Sequence, residues 1–416
     1  MYNKSYAKRF CIIVVFPTII LGMLSGGPLS REGRAFDWQV LKKAFDVFVA
    51  QPSLENSRHF LEAVPEKESE SFLKCREEVF QYICEGKFFI ENGIEGWERY
   101  LIFEHEMWAG NPYILQAALR LYALAEDRYS SILCASISAL VRVNPGLLLN
   151  ALYERKQCAD LTKMSDLLIC LSEGYFFTTQ AQLYELDMRI KALEGVKDER
   201  LAPLKDEYME LLRKQVEEIE LAPILVWPFA EHYEEEPPET VKRAFEEFVR
   251  CPSTEKAKAF CDSVPLEEKR GFTDRIQHLI FQKGHRAERS QGYMVLEREA
   301  IAGSQYAAEA LFRMYHLSPG GIDTLELRVS LSKLIRINPR LFLVTLSVYQ
   351  GVLDPEWIEG LVRFLPIHYY ENSQAIHEFE MRRKALEGVV DPSLRELRDY
   401  CIGVLSKIIE IRRRGL

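Results

Sequence analysis

The stretch Lys191-Ala192-Leu193-Glu194-Gly195-Val196 occurs a second time, letter for letter, as Lys384-Ala385-Leu386-Glu387-Gly388-Val389. Around it Glu185, Met188, Arg189 and Asp198 align with Glu378, Met381, Arg382 and Asp391. Glu185 with Arg189, and Asp187 with Lys191, are acid-to-base pairs four residues apart, the favourable orientation on a helix. The second copy reads Glu378 with Arg382 and Glu380 with Lys384. The pairs are expected on a solvated helix face, where each contributes only about 0.3–0.5 kcal/mol. Gly195 and Gly388 are expected to take positive φ and close that helix, with Val196 and Val389 just beyond. Asp198 and Asp391-Pro392 are expected to cap the next helix. Each copy then ends in two antiparallel helices joined by a tight turn.

Moving outward, the repetition reaches almost everything after residue 36. Ala44, Phe45, Phe48, Val49, Pro52, Ser53, Phe60, Val64 and Pro65 return 200 positions later as Ala244, Phe245, Phe248, Val249, Pro252, Ser253, Phe260, Val264 and Pro265. With an offset of 193, Ala109-Gly110, Tyr113 and Arg120 match Ala302-Gly303, Tyr306 and Arg313. With an offset of 194, Arg142, Asn144 and Pro145 match Arg336, Asn338 and Pro339. Apolar residues recur at i, i+3 and i+4, and period-2 alternation is not evident. The expectation is an all-α protein: a tandem duplication of a multi-helix unit, with α-solenoid-like stacked helical hairpins. Residues 37–219 form the first unit and 239–416 the second. Residues 220–238 form an apolar and acidic linker, from Ile224-Leu225-Val226-Trp227 to Glu234-Glu235-Glu236-Pro237-Pro238.

Residues 1–30 read as a signal peptide or N-terminal anchor. Lys4, Lys8 and Arg9 precede the apolar run Phe10 to Leu24, and small residues come after it. The run is shorter than the roughly 20 residues of a membrane span. The expected location is extracytoplasmic, periplasmic or secreted, with membrane attachment only through this segment if it stays uncleaved.

The net charge of −9 is uneven. Residues 37–219 carry 21 Lys and Arg against 31 Asp and Glu, whereas residues 237–416 carry 27 against 25. An acidic first half disfavours nucleic acid as partner and accommodates a protein or peptide. Nine cysteines are present, one of them in the leader. Their partners in the other copy are not cysteines, so they read as buried thiols rather than a disulfide framework. No metal is expected, because no Cys/His cluster has ligand spacing. No cofactor is expected either, because no phosphate loop, dinucleotide fingerprint or nucleophile elbow appears.

The best acid/base candidate is Glu104-His105-Glu106, matched by Glu297 and Glu299. Residues two apart on a helix point about 200° apart, so the group reads instead as a solvated face. No catalytic residue is assigned. Copy one carries Trp97, Tyr100 and Trp108 where copy two has Ser290, Tyr293 and Ile301. Aromatic residues of this kind are enriched in binding hot spots, which makes Trp97, Tyr100 and Trp108 the candidate partner contacts. The leading function is an exported, non-catalytic binding or scaffold protein built from two homologous helical units. The alternative is an extracytoplasmic hydrolase with its site in the cleft between them.

Overall fold

The turns are set by the side chains that flank them. Ser53 Oγ accepts from the Asn56 N–H and Ser253 Oγ from the Lys256 N–H. The chain therefore restarts after Pro52 and Pro252 as the helices Leu54–Ala63 and Thr254–Ser263. An arginine from a later helix takes the carbonyls at their far ends. Arg120 Nη1 donates to the Leu61 and Val64 oxygens at 3.1 and 3.0 Å. Arg313 Nη1 donates to those of Cys261 and Val264 at 2.6 and 3.1 Å. Carbonyls left over at a helix end are thereby satisfied inside the protein. Asn144 and Asn338 accept from the Leu147 and Leu341 N–H groups and open the helices Pro145–Arg155 and Pro339–Tyr349. Asp198 and Asp391 cap short 3-10 turns that lead into Ala202–Leu221 and Arg395–Arg413.

A computed structural model describes residues 36–84, 95–155, 167, 170, 178–221, 238–266, 279–282, 285–318, 322–349, 355–366, 369 and 371–415. The leader and most of the join at 220–238 lie outside the described residues. The architecture is all-α. The minor departure is a short antiparallel ladder between Phe281–Gln282 and His285–Arg289. No helix among the described residues is long and apolar enough to cross a membrane. Among the described residues the cysteines form no disulfide, and burial pushes the Cys401 thiol up to about 12.

Packing follows the apolar stripes. Phe48 stacks on Phe60 at 5.9 Å and Phe45 leans on the same ring at 5.1 Å. Phe248 stacks on Phe260 at 6.2 Å with Phe245 at 5.0 Å. The last helix buries Leu397, Cys401, Val404, Leu405 and Ile409. In Ala202–Leu221 the buried set is Leu204, Tyr208, Met209 and Leu212, and Leu211, Val216 and Ile219 are only half-buried. Residues 37–416 make one compact unit. Long-range contacts between helices far apart in sequence help hold it together. Trp38–Ala50 packs against Asn372–Glu387, where Ser373 Oγ and Gln374 Nε2 donate to the Ala50 and Val49 oxygens at 3.0 and 2.6 Å. Thr179–Glu194 packs against Glu239–Arg250, where Thr178 Oγ1 donates to the Arg250 oxygen at 2.5 Å.

The expectation of positive φ at Gly195 and Gly388 is wrong. Their φ values are −67° and −70°. Gly195 N–H still bonds the Lys191 oxygen and Val196 N–H the Leu193 oxygen. The helix thus tightens out in right-handed conformation instead of reversing. The left-handed glycines are Gly110 at φ +95° and Gly303 at φ +107°. Each closes a Schellman turn. Asn111 N–H bonds the Glu106 oxygen and Gly110 N–H the Met107 oxygen, while Ser304 N–H bonds Glu299 and Gly303 N–H bonds Ala300. Gly303→Ala and Gly110→Ala are each expected to cost about 1–2 kcal/mol, because a Cβ is strained at that φ. Gly195→Ala should stay within about 0.5 kcal/mol of wild type, since its φ suits alanine. Denaturant melts of the three variants check this; equal losses at Gly195 and Gly303 would contradict it.

Candidate functional site: two buried arginine–carboxylate clusters and a pocket

Glu106 and Glu299 each sit in the last turn of a helix, shortly before one of those Schellman glycines. The helices Glu95–Trp108 and Gln291–Ile301 carry Glu104, His105 and Glu106, and Glu297 and Glu299. Their expected solvated face does not exist. His105 is 3% exposed, Glu106 1% and Glu299 2%. The reason is that neighbouring Ile102, Phe103, Met107 and Trp108, and Val295, Leu296, Ala300 and Ile301, are also buried. Both helix ends are surrounded by protein. Half-buried Glu104 accepts from Ser136 Oγ at 2.5 Å, and Ser136 Oγ lies 2.7 Å from the Tyr100 hydroxyl. Glu297 accepts from Ser330 Oγ at 2.7 Å and Lys333 Nζ at 3.0 Å, with Tyr293 on the same serine.

Burial obliges these carboxylates to find cations. Glu106 is gripped by both terminal nitrogens of Arg336, at 2.7 and 2.9 Å. Arg336 Nη1 also donates to Glu378 at 2.8 Å, and Arg382 Nε donates to the other Glu378 oxygen at 2.8 Å. His105 Nε2 and His377 Nε2 lie 3.3 Å from Glu378 and Glu106. The second cluster uses the aligned positions. Arg142 grips Glu299 at 2.5 and 3.1 Å and reaches Glu185 at 2.8 Å. Arg189 Nε donates to Glu185 at 2.9 Å, and the Tyr184 hydroxyl donates to Glu299 at 2.9 Å. A glutamate of residues 37–221 is held by an arginine of residues 238–416, and the reverse holds too.

The Glu185–Arg189 and Glu378–Arg382 pairs are therefore not surface pairs. Glu378, Arg189 and Arg382 are fully buried. Their burial has a local cause: the helix face that carries them turns toward Arg142 and Arg336. Asp187 and Lys191, elsewhere on the same helix, do lie on a solvated face, paired at 2.6 Å with more than half of each side chain exposed.

The electrostatics follow from burial and charge. Burial pushes the Glu106 carboxyl up, but Arg336 and His377 outweigh it and hold the group at about 2. Burial likewise raises Glu378, and His105, Arg382 and Arg336 together drive it well below the carboxylate range. For His105 burial wins over Glu378 and lowers its pKa, so the ring is neutral near pH 7 and donates its Nε2 proton to Glu378. Burial raises the Tyr184 hydroxyl, with Glu299 adding to it.

Of the sequence-derived partner contacts, Tyr100 is 1% exposed and Trp108 8%. Neither presents a free surface: the Trp108 indole N–H donates to the Ser136 oxygen at 2.8 Å. Dense apolar packing around the end of their helix turned them inward. The Trp97 side chain lies outside the described residues. Trp108 does reach a pocket, whose wall also includes Ala139, Arg142, Glu185, Arg298 and Ile301. About 340 Å³ of empty space lies in and around this recess, part of it open solvent. Among the described residues, no group of three or more His, Cys, Asp or Glu side chains could hold a metal ion. No protein-family model, curated protein or solved structure matches this chain.

Arg142 and Arg336 were visible in the sequence as an aligned pair but carried no role. The signal was there: an arginine at matching places in two similar stretches of sequence, close to an Asn-Pro cap, implies an obligation that a solvated lysine does not have.

Proposed function

We propose that the chain is an exported binding or scaffold protein whose residues 37–219 and 239–416 are tandem copies of one helical unit. In this reading the copies pack as the two protomers of a symmetric dimer would, using the same patch twice. The observation that carries it is reciprocity: Glu106 pairs with Arg336 and Glu299 with Arg142, at aligned positions. The contacts of Trp38–Ala50 with Asn372–Glu387 and of Thr179–Glu194 with Glu239–Arg250 are reciprocal in the same sense. Helical hairpins stack within each copy, and the first helix meeting the penultimate one closes the stack rather than leaving an open solenoid.

The acid and base groups support a framework more than a catalyst. A general acid needs a raised carboxyl pKa, whereas Glu106 and Glu378 are held in the opposite direction. Export rests on the leader of residues 1–30, and a protein or peptide partner on the acidic first copy. Sequencing the mature N-terminus and cross-linking the protein in the extracytoplasmic fraction test both. The expected result is a chain cut after the leader, or a membrane-held intact one, cross-linked to one protein in fixed ratio. Soluble cytoplasmic protein beginning at Met1 would overturn the export reading.

A further inference from the structure

We infer that Cys134 and Cys170 are a redox pair, closed into a disulfide by thiol–disulfide exchange with oxidised glutathione or a similar external disulfide. The inference takes from the export reading only its oxidising surroundings, where disulfides form and persist. In this structure both residues are thiols. Three observations carry the inference. First, the two side chains meet, thiol hydrogen-bonded to thiol. Second, both ends are held in place. Cys134 lies on the helix Asp127–Ser138 between buried Leu133 and Ile137, with the Tyr122 hydroxyl also bonded to it. The Cys170 oxygen accepts from Arg189 Nη1 at 2.8 Å, and Glu185 fixes Arg189 in turn at 2.9 Å. Third, the matching places in the other half of the sequence also face each other. The Phe364 oxygen accepts from Arg382 Nη1 at 2.7 Å, which makes Phe364 the counterpart of Cys170. An offset of 194 makes Arg328 the counterpart of Cys134. The Arg328 guanidinium lies 6.0 Å from the Phe364 ring centre, and its Nε donates to the Tyr315 hydroxyl at 3.2 Å. The helix and the segment thus touch at the same point in both places, and in one of them the touching residues are two cysteines.

The order of events follows from exposure. Cys134 is 5% exposed and Cys170 is half-buried, so Cys170 is the thiol that meets the oxidant. Its thiolate attacks one sulfur of oxidised glutathione, forms a mixed disulfide and releases one glutathione thiolate. The Cys134 sulfur then attacks the Cys170 sulfur, and the second glutathione thiolate leaves. Both departing thiolates take up the protons that the two cysteines gave up. The protein loses two electrons and glutathione gains them. Cys170 and burial hold the Cys134 thiol above its ordinary range, while the Tyr122 hydroxyl and the Arg189 charge favour its ionisation. The finished bond ties Asp127–Ser138 to the chain that leads into Thr179–Glu194, beside the Glu185–Arg189 pair.

The test is to reduce the purified full chain, expose it folded to oxidised glutathione, block the remaining thiols and map the peptides by mass spectrometry. Wild type should yield the Cys134–Cys170 cross-link as its main internal disulfide. The oxidised chain should melt about 4 °C above the reduced one, as a disulfide in a chain of this size should. Cys134→Ala should stop at the intermediate, with glutathione held on Cys170. Cys170→Ala should give neither the cross-link nor the melting shift. Two free thiols at these positions after oxidation of the folded wild type would overturn the inference. So would a link from Cys170 to Cys158, an unchanged melting temperature in the cross-linked chain, or no glutathione on Cys170 in folded Cys134→Ala. The mapping of wild type needs no variant to fold. Because the oxidation is done on purified protein, a cytoplasmic location would overturn the export reading and leave this result standing.

Discussion

Arg336→Met should destabilise the protein by about 3–5 kcal/mol, the usual consequence of removing one partner from a buried ion pair. The loss arises from the groups that stay behind. Glu106 loses both hydrogen bonds of its two-pronged grip and keeps the contact with His377. Glu378 loses one cation and keeps Arg382. The same side chain removed together with its partner, as Glu106→Gln with Arg336→Met, should recover much of the loss, because Glu106 is then no longer a stranded carboxylate. Asp187→Ala sets the scale for a solvated pair. Its partner Lys191 is 60% exposed at the side chain, and the expected cost is at most about 0.5 kcal/mol. Urea melts of these variants beside wild type measure all of this on one axis.

Stability should also fall in acid in two stages. Folded His105 has a pKa below its ordinary 6.5, so below that pH the unfolded chain takes up a proton that the folded chain refuses. Stability present above pH 6.5 is therefore lost progressively as the pH drops toward the folded value. Glu106 acts in the same direction lower down. Its ordinary value is 4.5 and its folded value about 2. Its contribution is whole above pH 4.5 and is lost as pH falls through about 2; the gap corresponds to about 3 kcal/mol. Glu378 adds to this stage, being held well below 4.5. Urea midpoints from pH 8 to 3 check the profile. His105→Gln should flatten the stage just below pH 6.5 and leave the lower one in place. An upper stage that survives in this variant would show that another group titrates there.

How much of this could be read from the letters depended on range. Local chemistry was legible: Asp198 and Asp391 cap where expected, because a cap needs only three or four neighbouring residues. The glycine assignment failed at Gly195 because a helix can end without reversing, and nothing within the hexapeptide distinguishes the two exits. The same reversal was available at Ala109-Gly110 and Ala302-Gly303, where the succeeding Asn111 and Ser304 cap new helices. Burial of Glu106, Glu185, Glu299 and Glu378 was not legible at all. An i, i+4 acid–base pair looks alike on a wet face and in a core. The difference lies in a third residue, Arg142 or Arg336, which is 43 or 42 positions away from its glutamate in sequence. The inward turn of Tyr100 and Trp108 was hidden for the same reason: Ser136, which engages both, is 36 and 28 residues on.

The reciprocal exchange of glutamates is tested most directly by two double-mutant cycles on stability, Glu106 with Arg336 and Glu299 with Arg142. Each cycle should show a coupling of about 2 kcal/mol or more, and the crossed pairs Glu106 with Arg142 and Glu299 with Arg336 should be additive to within about 0.5 kcal/mol. Additivity within the two bonded pairs, or equal coupling in the crossed ones, would contradict the account.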